Sequence, residues 1–214
     1  MRETRVDLLE LAEANVRLYA AEPEEIVAWA VARFGNRIIL GTGFSPNSGV
    51  LFHLIHTRQP WLRAVFVNPG DVPETNLQYA KVLSDRMPTP VVKRYEPDTP
   101  LSDADREKIA AGGDARREVY ERRKLPLIHR AVAEHAAHAI LYGARFDQNE
   151  GRRRQNRFPI VNMTREGLVR VYPVWFKDDH FMGAYLIRHD LPVHPDGLPG
   201  GERFACGLHD DLPS

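Results

Sequence analysis

The sequence predicts an α/β protein: a three-layer, twisted and mostly parallel sheet with an irregular C-terminal tail. Two observations lead there. Short continuous apolar runs of strand length alternate with longer stretches of helical periodicity, as in parallel sheets with crossover helices. The first such run also opens into a glycine- and serine-containing loop followed by a helical stretch, the local order of a βα unit.

Residues 1–35 read as N-terminal helices. Leu8, Leu9, Leu11, Ala12, Val16 and Leu18 follow helical spacing, and Pro23 opens a second helix that Gly35 stops. Residues 36–190 form the expected α/β domain. Arg37–Leu40, Ala64–Val67, Val91–Tyr95 and Ala139–Gly143 read as four strands. Helices are expected over Val50–His56, Glu74–Arg86, Ser102–Ala111 and Ala115–Arg123, with a break at Leu125-Pro126 and a further helix to about Ala137. Ile160–Met163 and Leu168–Val171 flank a turn and predict a hairpin. Asp178 or Asp179 caps a last helix. Proline and glycine dominate from Leu191 onward, so residues 191–214 are expected to form a flexible tail carrying Cys206.

Twenty-nine basic residues balance 29 acidic ones, so no global field favours nucleic acid. The single cysteine excludes a disulfide framework and a cysteine-rich metal or iron–sulfur site within one chain. It suits a reducing compartment, and a cytoplasmic location is expected. No apolar run approaches membrane-spanning length.

Four places could carry chemistry. The 41–49 loop puts backbone N–H groups, a helix N-terminus and the hydroxyls of Thr42, Ser45 and Ser48 at the carboxyl edge of the sheet, where phosphates bind in such folds. A turn that simply needs glycine explains the loop equally well. Asn68-Pro69-Gly70-Asp71 ends the second strand at the same edge, as a turn or as the lining of a pocket. Arg145, with Arg152, Arg153, Arg154 and Arg157, forms the densest positive charge, suited to phosphate or sulfate oxygens, with Arg122, Arg123 and Lys124 as a smaller cluster. A solvated loop or an RNA-binding patch is the alternative. Finally, Cys206 lies three residues from His209, which can raise its thiolate fraction. His129, His135, His138, His189 and His194 lack metal-ligand spacing.

Together these pieces resemble the sulfonucleotide reductases, specifically the phosphoadenylylsulfate (PAPS) reductase family, from about Ile38 to His209. The marks are Thr42-Gly43-Phe44, Asn68-Pro69-Gly70 with Pro73-Glu74-Thr75, Arg123-Lys124-Leu125-Pro126, Gly143-Ala144-Arg145-Phe146-Asp147-Gln148 with Arg152, and Cys206-Gly207-Leu208-His209. The resemblance implies an adenine-nucleotide α-hydrolase-like fold. It implies that Cys206 attacks the sulfur of the sulfonucleotide, with His209 assisting, and that thioredoxin or glutaredoxin releases sulfite from the S-sulfocysteine. Thr42, Gly43, Phe44, Ser45, Asn68, Gly70, Arg123, Lys124, Arg145, Gln148, Arg152 and Arg203 would bind the substrate. The assembly implied is a homodimer without an iron–sulfur cluster, and PAPS is favoured over adenylylsulfate (APS). The chain departs from the family in Ala205, where glutamate is usual, in a shorter segment before Cys206, and in Ser45-Pro46. The same fold also serves ATP-dependent adenylation or sulfur transfer and non-catalytic nucleotide binding. The first loop lacks the Ser-Gly-Gly-x-Asp-Ser pattern of the ATP-splitting relatives.

Overall fold

The computed structural model describes residues 6–87, 92–148 and 158–197. The described elements are α1 (Leu8–Leu18), α2 (Pro23–Phe34), β1 (Ile38–Thr42), α3 (Ser48–His56), β2 (Ala64–Val67), α4 (Glu74–Arg86) and β3 (Val92–Tyr95). There follow α5 (Asp103–Ala111), α6 (Gly113–Glu134), β4 (Ala139–Leu141), a 3-10 turn (Phe146–Gln148), β5 (Val161–Met163), β6 (Val169–Val171) and α7 (Asp179–Arg188). Asp7, Ser102 and Asp178 cap their helices by accepting the N–H three residues on. Gly35 closes α2 with a φ of 57°.

The strands lie in the order β3-β2-β1-β4-β6-β5, all parallel except the β5–β6 pair. The expected hairpin is present, and it extends the main sheet because β6 pairs in parallel with β4. The edge strand β5 is fastened by Asn15 of α1, whose amide donates to the Val161 carbonyl and accepts the Ile160 and Val161 N–H groups. Alternate side chains serve opposite faces. Ile38, Leu40, Ala64, Phe66 and Leu141 join α1, α2, α3 and α7 in the larger core. Ile39, Val65 and Ile140 pack with Leu127, Ile128 and Ala131 of α6 on the other.

One expectation is corrected: α6 runs unbroken from Gly113 to Glu134 with Pro126 inside it. Proline removes one helical hydrogen bond, a cost of about 3 kcal/mol. Here Pro126 is exposed, while Val119, Tyr120, Leu127, Ile128 and Ala131 bury the opposite side of the helix, and that apolar burial outweighs the lost bond.

Residues 191–197 contain no helix or strand and are nonetheless anchored to the body. The Tyr79 hydroxyl donates to the Pro192 carbonyl at 2.8 Å, and His194 is 2% exposed.

Candidate active site

From β1 the chain steps outward to β2 and β3, then returns to β4 on the other side of β1. The loops leaving β1 and β4 therefore diverge, and a crevice opens beyond their carboxyl ends. A cleft occupies that position. Thr42, Gly43, Ser45 and Ser48 form one wall, Tyr142, Gly143 and Gln148 another, and Lys124 and Ile128 of α6 a third.

The β1 loop is shaped by close approach and by an unusual backbone. A Cβ on Gly41 would lie 2.5 Å from Cε1 of Tyr142, so only glycine lets the ring cross the strand there. Thr42 Oγ1 accepts the Phe44 N–H at 3.0 Å and sits 3.2 Å from Ser48 Oγ, which draws the loop into a tight curl. Phe44 has a φ of 53°, a left-handed conformation that is strained for a non-glycine residue. Its ring explains why the strain is held. It is buried, stacked on Phe52 at 5.7 Å and edge-on to Phe66 at 5.2 Å. Phe44 thus pins the loop from within the core, and its side chain faces away from the cleft.

The two walls are tied together by Asn47, which donates to the Gly143 carbonyl at 2.8 Å. Beneath this tie sits Arg145, 1% exposed. Its guanidinium pairs with Asp147 at 3.0 Å, with Asp179 at the start of α7, and reaches Asn47 Oδ1 at 3.5 Å. Gln148 accepts the Arg145 N–H at 3.0 Å. Arg145 is therefore neutralised inside the fold and does not line the cleft. The cation that the described residues bring to the wall is Lys124, half-buried on α6.

The neighbouring loops after β2 and β3 are closed. Asn68 accepts the Gly70 N–H at 2.9 Å and donates to Glu96 at 2.7 Å, forming a local turn. Gly70 has a φ of 111°, and a Cβ there would meet Leu101 at 2.8 Å. Arg123 lies across both loops, donating to the carbonyls of Pro69 at 2.8 Å, Thr99 at 2.7 Å and Pro100 at 3.4 Å. Its donors are directed at the backbone.

A further chain of bonds links the β1 loop to residues 191–197. Asn76 of α4 donates to the Gly43 carbonyl at 2.7 Å and, through Oδ1, meets His194 Nε2 at 3.1 Å. His194 Nδ1 accepts the Asp196 N–H at 3.1 Å, which assigns the ring proton to Nε2. Burial lowers the His194 pKa, with nearby Asp196 opposing the shift.

Of the residues expected to bind substrate, the structure gathers Thr42, Gly43, Ser45, Lys124 and Gln148 around one cleft. Asn68, Gly70 and Arg123 build the adjoining turns, while Phe44 and Arg145 point into the interior. Arg152, Arg203, Cys206 and His209 lie outside the described residues. Sequence reasoning missed Asn47, Asn76, Tyr142 and His194. Asn47 lies within the expected 41–49 loop and Tyr142 near the end of an expected strand, with no cue to their contacts across the cleft. For the Asn76–His194 pair, 118 residues apart, no local signal exists.

Residues 37–195 match the family model of the phosphoadenosine phosphosulfate reductase domain. A phosphoadenosine 5'-phosphosulfate reductase of Synechocystis sp. is 30% identical over 193 residues, covering 87% of this chain and 75% of that protein. One from Alkalilimnicola ehrlichii is 28% identical, covering 94% of this chain and 91% of its own length. A crystal structure of PAPS reductase from Candida auris, a phosphate complex, has the same fold, with a TM-score of 0.68 at 20% identity over 88% of this chain and 90% of that one. A match across 159 consecutive positions of the domain, over the strands, loops and helices that build the cleft, settles the lineage: this chain belongs to the phosphoadenosine phosphosulfate reductase family.

Proposed function

We propose that this oxidoreductase converts 3'-phosphoadenylylsulfate to sulfite and adenosine 3',5'-bisphosphate, using Cys206 as nucleophile and thioredoxin as reductant. The observation that carries the reading is the β1/β4 cleft. It combines the curled β1 loop, the α3 N-terminus and Lys124 in one place, a favourable setting for phosphate and sulfate oxygens. The nucleotide sits with its phosphates against Thr42, Gly43 and Ser48, and Lys124 offsets the charge that develops on the leaving phosphate.

The Cys206 thiolate attacks the sulfonyl sulfur, and the S–O bond to the phosphate breaks. Adenosine bisphosphate leaves with that electron pair. A thiolate of thioredoxin then attacks Cys206 Sγ, and sulfite departs with the S–S bonding pair. The second thiol of thioredoxin releases Cys206, so the partner supplies both electrons. Arg152, Arg203 and His209 are assigned to the sulfonate and the thiolate.

The segment before Cys206 has ample reach. Cys206 follows His194 by twelve positions, and twelve extended residues span up to roughly 40 Å. His194 is joined to the cleft loop through Asn76, so the segment starts beside the place it must serve.

Intact-mass measurement after exposure to PAPS without reductant tests the proposal. One sulfonate is expected on Cys206, and Cys206→Ser abolishes both the adduct and thioredoxin-dependent sulfite release. Undiminished sulfite from that variant overturns the mechanism. APS turned over as fast as PAPS reassigns the substrate.

A further inference from the structure

A second concavity, of about 860 Å³, lies between α6 and the β5–β6 hairpin. It exists because α6 packs over β2 and β3 and leaves the same face of β4 and β6 less covered. Its walls are mainly apolar, with Leu125, Ile128 and Val132 from α6, Tyr142 after β4 and Leu168 before β6, and His129, Thr164 and Arg165 add polar groups at its border. It extends to Ala137 and His138 at the amino end of β4, away from the carboxyl edge that forms the cleft.

Arg170 of β6 lines this groove and is 6% exposed. Its Nε donates to Asn162 Oδ1 at 2.8 Å, and among the described residues its side chain makes no other hydrogen bond and no ion pair. Glu121 and Glu166 also border the groove, yet both are exposed and neither pairs with Arg170. A guanidinium stays charged in a protein, and the Arg170 Nη groups open into the groove, where water or a ligand can reach them. The other two buried arginines of similar depth are fully engaged, Arg123 by three carbonyls and Arg145 by two carboxylates and an amide. Arg170 alone among these three keeps both Nη groups unbonded, on the wall of a mainly apolar groove.

We infer that the groove is a binding site for a small amphipathic anion, a carboxylate or sulfonate on an apolar body, whose charged end pairs with Arg170. The volume falls in the range of roughly 300–1,000 Å³ typical of small-molecule sites, where apolar walls and a few placed polar groups are the rule. Two oxygens of a carboxylate or a sulfonate can each accept from one of the two open Nη groups. The site is separate from the nucleotide cleft, although Ile128 and Tyr142 border both.

The test uses 8-anilinonaphthalene-1-sulfonate on the full chain, followed by fluorescence. One molecule binds per chain, and saturating adenosine 3',5'-bisphosphate does not displace it. Arg170→Met weakens binding by about tenfold or more, the loss of a charge-assisted hydrogen bond. The same variant retains affinity for the uncharged probe N-phenyl-1-naphthylamine, which separates a lost charge from a lost fold. Ala133→Trp, at an exposed position of α6 bordering the groove, weakens both probes and carries the test should Arg170→Met not fold. Equal sulfonate affinity in Arg170→Met overturns the inference, as does competitive displacement by the bisphosphate. A concentration-dependent dimer that Arg170→Met abolishes also overturns it, because the occupant is then a second copy of the chain.

Discussion

Two pairs of loops meet at the carboxyl edge of the sheet, and they are held by opposite means. The loops after β2 and β3 are clamped by the guanidinium of Arg123, which bonds to carbonyls on both and closes the space between them. The loops after β1 and β4 are joined by the Asn47 amide, with Arg145 drawn beneath them into Asp147 and Asp179. That second pair stays apart, and the cleft lies between. The contrast shows what arginine does at this edge: the buried guanidiniums are scaffold, and the half-buried Lys124 faces the cleft.

The largest expected effect breaks the scaffold. Arg145→Met leaves the Asp147 and Asp179 carboxylates facing each other without their cation. The guanidinium is buried while the two carboxylates are partly in water, so its removal costs about 3 kcal/mol, the low end for a buried pair, and a large fall in the urea midpoint is expected. Arg123→Met strands three carbonyls and costs about 2 kcal/mol in the same assay. Unchanged stability together with lost nucleotide binding, in either variant, would return these arginines to the substrate and dissolve the contrast.

Lys124→Met sharpens the comparison from the other side. The aliphatic stem is retained and the charge at the cleft removed. Stability should stay within about 0.5 kcal/mol of the parent, as for most partly exposed substitutions. Affinity for adenosine 3',5'-bisphosphate, measured by calorimetry, should fall by about tenfold. A loss of stability without a loss of affinity would make Lys124 another scaffold residue.

The same division explains which features the sequence could disclose. Strands such as Ala64–Val67 and Ile38–Leu40 are buried on both faces, so they show as unbroken apolar runs. The hairpin over 160–171 and the Asp178 cap follow from local turn and capping chemistry. The glycine and hydroxyl residues between a strand and a helix marked the β1 loop as a candidate, although a turn that needs glycine accounts for the same residues. What charge density cannot reveal is the direction of a side chain. Arg123 and Lys124 are adjacent in sequence, yet one turns to the carbonyls of two loops and the other to the cleft. The direction of Phe44 was hidden for a related reason, since its left-handed backbone places the ring in the core. Pro126 misled because local helix-breaking lost to the burial of α6 against the sheet.

The smallest expected effect concerns the tie between the cleft loop and the root of the Cys206 segment. The neutral His194 ring donates from Nε2 toward Asn76 and accepts the Asp196 N–H on Nδ1. A second proton on Nδ1 would confront that N–H, and burial disfavours the cation, so the folded pKa lies below the ordinary 6.5. Asp196, with a carboxylate oxygen 3.8 Å from Nδ1, opposes the shift without reversing it. In the pH range between the folded and unfolded pKa values the unfolded chain binds more protons, so stability declines as pH drops. The contribution is complete above about pH 6.5 and is lost progressively below it. Burial lowers the His53 and His135 pKa values as well, so the comparison must isolate one ring. His194→Gln removes the titration at this position. The stability of the parent minus that of His194→Gln, from urea unfolding at pH 8 to 5, should shrink as the solution is acidified. A difference that grows on acidification would mean that the Asp196 carboxylate dominates and His194 is held as a cation. The tie between the β1 loop and the tail would then be an ion pair set against the carboxylate, and the neutral relay through Asn76 would have to be abandoned.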